Sequence, residues 1–353
     1  MKLKDNIASM EAYVPGKTVP GAVKLSSNEN PLGPSPRAIE AVKEALAGIH
    51  RYPDGAATAL KTAIARNWDV PEKGIMIANG SDEVFALLAA AWIGPGENAI
   101  SARETFSQYR YAVKLFGAEM REIPLSDEGR FNTEGILRNV DENTRMVFLC
   151  NPNNPTGTYL SHNEIESFLN KISEDTIVIL DEAYAEFADQ EDFPDSGALL
   201  KKYPRLVVTR TFSKLYGLAG LRVGYALGNP EIISGADRAS MPFNVNNLAQ
   251  TAALAALKDD SHRDATLKLV QSEKTFIYRE LTGRNIFHYP TQANFVCFRL
   301  ESRIADLWEP IAKRGIALRD LKSFGLPQMA RYTFGSRENN QRLLEILDEV
   351  TGG

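Results

Sequence analysis

Four runs of the chain, Ile75–Ala78, Met146–Cys150, Ile177–Leu180 and Leu206–Thr209, are apolar almost without interruption. A strand with one wet face alternates apolar and polar residues, whereas a strand covered on both faces has no reason to. Helical stretches, among them Asp82–Trp92 and Asn163–Ile172, lie between these runs. That rhythm is the signature of an α/β fold with a mostly parallel central sheet flanked by helices. At ~150 residues per domain, 353 residues leave room for about two domains.

The segment after each run points to a site. After Ala78 the chain reads Asn-Gly-Ser-Asp-Glu, and after Cys150 it reads Asn-Pro-Asn-Asn-Pro-Thr-Gly. After Leu180 comes Asp-Glu-Ala-Tyr, and after Thr209 comes Arg-Thr-Phe-Ser-Lys. Open parallel sheets bind ligands outside the carboxyl ends of their strands. The four polar loops are therefore expected to converge on one edge of one sheet.

Beyond about residue 245 the pattern changes to long helical stretches (Leu248–Leu257, His262–Leu281), short mixed strands (Ala293–Arg299, Ala330–Phe334) and a last helix, Ser336–Val350. This predicts a smaller α+β domain over residues 246–353, after a large domain over 36–245. Residues 1–35, rich in Pro, Gly and Asn, read as an extended arm packing on the small domain. Ser35-Pro36 then starts a helix, with Ser as cap, Pro in the first turn and Ile39, Val42, Leu46 and Ile49 on one face.

Composition removes several function classes. Forty basic against forty-five acidic side chains give a net charge of −5 with no basic run, which argues against nucleic acid or an anionic membrane as partner. The longest apolar run, Phe85–Ile93, falls well short of the ~20 residues that span a bilayer. The N-terminus carries no apolar signal core. Two cysteines and four scattered histidines make neither a disulfide framework nor a metal cluster. The expectation is a cytoplasmic, metal-free protein.

Taken singly, the candidate residues have ordinary readings beside the functional ones. A lone Ser213-Lys214 says little, but the nearby Gly217, Gly220 and Gly224 imply close backbone approach, and Arg222 offers a planar fork suited to phosphate. Asp181, at the end of an apolar run, is either a cap or ion-pair residue, or a carboxylate held dry against a heterocyclic nitrogen. Asn79–Glu83 reads as a capped helix start and equally as a cup of free amides for an anion; the two are compatible. Asn151–Gly157, with two prolines and three asparagines, is more than a generic turn needs.

In this order, NGSDE, NPNNPTG, DEAY and Ser-Lys followed by Arg222 resemble the motifs of fold-type I pyridoxal-phosphate (PLP) aminotransferases. Within them the chain is most similar to the histidinol-phosphate aminotransferase group. The shared features are LSSNENPLGPSP (25–36), RYPDG (51–55), RTFSKLYGLAGLRVGY (210–225) and RYTFGSRE (331–338). The resemblance covers nearly the whole chain.

It implies a role for each residue. Lys214 would hold the cofactor and then act as general base. Asp181 would pair with the pyridinium nitrogen, and Asn154 and Tyr184 would hydrogen-bond the ring oxygen. Phe106 would stack on the ring. The phosphate would sit among the amides of Gly80, Ser81 and Asp82, with Thr211, Ser213 and Arg222. Tyr52 would reach it from a neighbouring subunit, which implies a homodimer with shared active sites. Arg331 and Arg319 would bind the anionic groups of the amino donor and the 2-oxo acid acceptor, with Tyr13 and Asn30 closing over them. For Arg319 a surface ion pair, with Asp320 for instance, is the competing reading.

The chain departs from the group's pattern at Glu104, where proline is common, and at Tyr332 and Phe334, where aliphatic residues are usual. Phe334 is expected in the core and Tyr332 in the pocket wall. The resemblance implies transamination of histidinol phosphate with 2-oxoglutarate in histidine biosynthesis. Phenylalanine or tyrosine as substrate is the alternative, and a decarboxylase of the phosphothreonine type a more distant one. An aminotransferase-like transcriptional regulator would need a basic DNA-binding segment before Ser35, where the arm is short and not basic.

Overall fold

The computed structural model describes residues 1–10, 12, 20–300 and 304–351. A short strand β1 (Val23–Lys24) precedes the strands of the main sheet, which are β2 (Ile75–Ala78), β3 (Asn98–Ala102), β4 (Glu119–Ile123), β5 (Thr144–Cys150), β6 (Ile177–Asp181), β7 (Leu206–Thr211) and β8 (Gly224–Gly228). Their order across the sheet is β2-β8-β7-β6-β5-β3-β4. Only β8 opposes its neighbours, and the other six strands share one direction. The apolar runs are buried along their whole length, as strands between two helical layers must be.

Three strands of this sheet lack an apolar run. Asn98 and Ser101 put polar side chains inside β3, each satisfied there: Asn98 by Asp141 and Thr144, Ser101 by the Phe148 carbonyl. The edge strand β4 is only partly covered and keeps Glu119, Arg121 and Glu122. Strand β8 is rich in small residues, and a Cβ on Gly224 would stand 2.7 Å from the Ser81 amide. Strand and helix start can touch only because that side chain is absent.

The second unit holds a three-stranded antiparallel sheet in the order β11-β12-β9. Its strands are β9 (Phe295–Arg299), β11 (Arg319–Asp320) and β12 (Met329–Thr333), while β10 (Ile316–Ala317) pairs in parallel with β1. Helices Asp260–Gly283 and Arg337–Thr351 pack Ile277, Leu281, Leu343 and Leu347 against Phe295, Phe298 and Phe334.

The division of the chain differs from the expected one. Helix Asn247–Ala256 buries Ala249, Ala252, Ala253 and Ala256 in the core of the main sheet's unit, against helix Pro36–Ala45. Its alanines permit that close approach, so the second unit begins with helix Asp260–Gly283 and not at residue 246. The arm also divides. Asn6 donates to the Leu115 carbonyl at 2.9 Å on the first unit, while Leu25 bonds to Ala317 and Thr333 on the second. Ser35 caps its helix through the Ala38 amide, but Ile39, Leu46 and Ile49 face outward.

Candidate active site

Strands β2, β7, β6 and β5 are parallel, and all four polar loops leave from their carboxyl ends. At the first, helix Ser81–Trp92 starts from Gly80 at φ 83° with no side chain capping it. Asn79 and Glu83 are spent on each other and on Asn244. The first-turn amides of Ser81 and Asp82 therefore lack a side-chain acceptor, the condition for an anion cup. Arg222 closes the cup from the loop before β8. Its guanidinium reaches Asp82 at 3.2 Å, and a Cβ on Gly80 would stand 2.7 Å from it. Thr211 ends β7 and Ser213 follows it, both buried, with the Ser213 amide on Thr211 Oγ1.

Asp181 ends β6 and is buried. Tyr109 donates to one carboxylate oxygen at 2.6 Å and Thr209 to the other at 2.9 Å. Burial pushes its carboxyl up to about 6, while the two hydroxyls pull it down. No cation pairs with it among the described residues, so a buried carboxylate waits for a positively charged partner. Tyr109 also meets the half-buried Phe106 ring edge-on at 5.7 Å. Sequence reasoning missed Tyr109 and Thr209. The offset of three from Phe106 was visible, but the pairing of β6 with β7 that sets Thr209 beside Asp181 was not.

Of the asparagines in Asn151–Gly157, Asn151 and Asn153 tie the loop to Leu160, Thr105 and Thr156. Asn154 accepts from Arg331 instead. Arg331, on β12, is buried, donates its other terminal nitrogen to the Ser26 carbonyl at 2.7 Å and leaves Nε without a partner. Burial, with Arg319 adding repulsion, holds its guanidinium at about 10. Arg319 lies directly across from it in the β11–β12 register, and Phe324 sits beneath both cations. Like charges placed opposite one another on a sheet repel. An anion between them removes that cost.

Lys214 donates to the Ser27 carbonyl at 3.1 Å and lies 5.6 Å from the centre of the Tyr184 ring. Burial and the Arg331 charge lower its ammonium to about 8. The rate at which apoenzyme captures PLP covalently should therefore rise about tenfold from pH 7 to pH 9 and then level off, as the neutral fraction of such an amine saturates. A lysine at its ordinary value would keep gaining about tenfold per pH unit. Stopped-flow absorbance distinguishes the two curves.

Two expected contacts, those of Asn30 and Tyr332, are corrected. Asn30 is buried and fully engaged, its amide on the Leu215 carbonyl and Thr266 and its oxygen on the Leu32 amide. The arm's asparagine at the site is Asn28, whose amide donates to the Tyr184 hydroxyl at 2.9 Å. Tyr332 is not pocket wall. On β12 it points away from its neighbour Arg331 into the core and donates to Asn340, while Phe334 is buried as expected. Tyr52 is 81% exposed and stacks on Phe243 at 4.6 Å, on the outer surface. Glu104 fixes the Leu125 amide at 3.0 Å. Tyr13 lies outside the described residues.

The donor set suits PLP. It has an open helix start for a phosphate, a buried carboxylate with no cation for a ring nitrogen, an aromatic side chain above, and a lysine of lowered basicity. No helix among the described residues is long and apolar enough to cross a membrane.

Residues 20–347 match the family model for class I and II aminotransferases. The chain is 40% identical to a histidinol-phosphate aminotransferase of Anaeromyxobacter sp. (strain Fw109-5), covering 98% of each protein. The crystal structure of histidinol-phosphate aminotransferase from Sinorhizobium meliloti in complex with pyridoxal-5'-phosphate superposes with a TM-score of 0.90 at 26% identity, over 99% of this chain and 98% of that one. L-threonine-O-3-phosphate decarboxylase from Porphyromonas gingivalis aligns with a TM-score of 0.82 at 26% identity, over 94% and 100%.

Proposed function

The chain belongs to the class I and II aminotransferases, and from that premise we propose that it exchanges the amino group of histidinol phosphate with 2-oxoglutarate, giving imidazole-acetol phosphate and glutamate. The observation that carries the substrate class is the pair Arg319 and Arg331. They stand opposite one another across β11–β12, and neither has a carboxylate partner among the described residues. A phosphate monoester on one substrate and the carboxylates of the other both suit such a pair.

When bound, PLP supplies an electron sink for the pair left behind as a proton leaves the substrate carbon. The remaining work belongs to the chain. Asp181, braced by Tyr109 and Thr209, holds a proton on the ring nitrogen. Asn154 and Tyr184 orient the ring oxygen, and Phe106 covers a ring face. The amides of Ser81 and Asp82, with Thr211, Ser213 and Arg222, anchor the phosphate, while the Gly80 amide is engaged by the Ala78 carbonyl at 2.8 Å. Lys214 is the nucleophile toward the cofactor and the base that moves the substrate proton.

The reading includes a cytoplasmic homodimer in which Tyr52 reaches the partner's phosphate site. It draws on the outward-facing Leu46, Ile49, Tyr52, Met241 and Phe243, a group of large apolar side chains suited to cover by a second copy.

A substrate panel tests the reading. With 2-oxoglutarate as acceptor, kcat/KM for histidinol phosphate should exceed those for phenylalanine and tyrosine by about 100-fold or more, because their single carboxylate brings one negative charge to the two facing cations where a phosphate monoester brings up to two. Equal or better turnover of the aromatic amino acids would move the assignment to them. Carbon dioxide release from phosphothreonine would move it to decarboxylation.

A further inference from the structure

We propose that Asn28 is a positioning residue for Tyr184: it fixes the phenol oxygen as a hydrogen-bond acceptor and so reserves the phenol proton for the ring oxygen of bound PLP. The inference rests on the proposed role of Tyr184 as a cofactor contact.

The Asn28 backbone N–H meets Thr333 Oγ1 at 2.9 Å and can only donate to it. Thr333 then has a single proton to give, and the Asn28 side-chain oxygen stands 3.1 Å away to receive it. In the structure the amide oxygen faces Thr333 and the NH2 faces Tyr184, at 2.9 Å, an orientation that gives the buried Thr333 hydroxyl proton an acceptor. An NH2 group has no lone pair to offer, so the phenol oxygen accepts and its own proton remains unspent. No other hydrogen bond engages the Tyr184 hydroxyl among the described residues. A buried hydroxyl proton without an acceptor is costly, and a ligand oxygen would satisfy it.

The backbone supports the same role. Asn28 adopts φ 58°, in the left-handed region, and Asn294 donates to its carbonyl at 3.1 Å. The Thr333 bonds hold the residue on β12 of the second unit, and Asn294 holds it at the start of β9, while Tyr184 belongs to the loop after β6. Its neighbours Ser26 and Ser27 give their carbonyls to Arg331 and Lys214. Three consecutive arm residues thus each hold one side chain of the site.

The chemistry separates two substitutions. Asn28→Gly removes the amide while tolerating the positive φ. Asn28→Asp keeps the shape and the Thr333 bond but puts a carboxylate where the NH2 stood, so it draws the phenol proton away from the site. Apoenzyme of the parent, both variants, Tyr184→Phe and the two double variants is titrated with PLP by fluorescence quenching, with thermal melting to verify folding. Asn28→Gly should weaken binding about fivefold and Asn28→Asp about tenfold or more, as loss of one oriented hydrogen bond implies. In the Tyr184→Phe background both penalties should shrink to within about twofold, the mark of an effect passing through that phenol.

Equal penalties in both backgrounds, or none in either, would overturn the proposal. Should Asn28→Gly fail to fold, the near-isosteric Asn28→Asp alone decides. Failure of the parent apoenzyme to bind PLP would instead bring down the underlying site reading, and this one with it.

Discussion

Lys214→Ala should reduce turnover by at least about 10⁴-fold, because it removes the nucleophile and the general base together. The fold should survive. The side chain makes one hydrogen bond, to the Ser27 carbonyl, and its charge is repelled by Arg331. Truncation therefore removes one hydrogen bond together with a charge that burial disfavours. Borohydride provides the second readout: the parent should retain PLP covalently on a peptide containing Lys214, and the variant should release it on denaturation. Residual turnover within about 100-fold of the parent, or cofactor fixed to another lysine, would take Lys214 out of the chemistry.

Asp181→Asn should lower turnover by about 10³-fold, the scale for removing one preorganised electrostatic partner from a dry site. Its effect on stability should have the opposite sign. The carboxyl titrates at about 6 in the folded protein against 3.8 for an ordinary aspartate, so the folded chain holds that proton more tightly than the unfolded chain. Apoprotein stability then falls as pH rises between those two values, and the loss is complete above them. At pH 8 the ionised carboxylate costs the apoprotein about 3 kcal/mol. The asparagine variant escapes that cost while Tyr109 and Thr209 keep a side chain to bond. Its apoprotein should melt higher than the parent at pH 8, with the gap closing below about pH 4. A variant that melts lower throughout, or turns over normally, would mean that Asp181 is a brace for Tyr109 and not the partner of a ring nitrogen.

Much of this was legible in the chain itself, for a definite reason. Apolar runs such as Ile177–Leu180 declare strands buried on both faces, and the loops after them carry the chemistry because strand ends in a parallel sheet share one edge. Strands β3, β4 and β8 escaped notice because their polar or small residues are satisfied by neighbours distant in sequence, as Ser101 is by Phe148. The domain boundary moved because the alanines of Asn247–Ala256 do not reveal which surface they pack on. Exposure of Ile39 and Ile49 could not be foreseen either, since an apolar stripe reads the same whether it faces a core or another copy.

The sequence by itself determined the α/β fold, the family, and Lys214, Asp181, Asn154, Tyr184, Arg222 and Arg331 as candidate site residues, because these depend on local order and residue type. Tertiary structure alone decided which of two arm asparagines reaches Tyr184, which hydroxyls brace Asp181, and that Tyr332 faces the core. Those outcomes turn on strand register and on hydrogen bonds between segments as distant as Asn28 and Thr333. A one-residue shift in register exchanges the two faces of a strand, and local sequence does not record it.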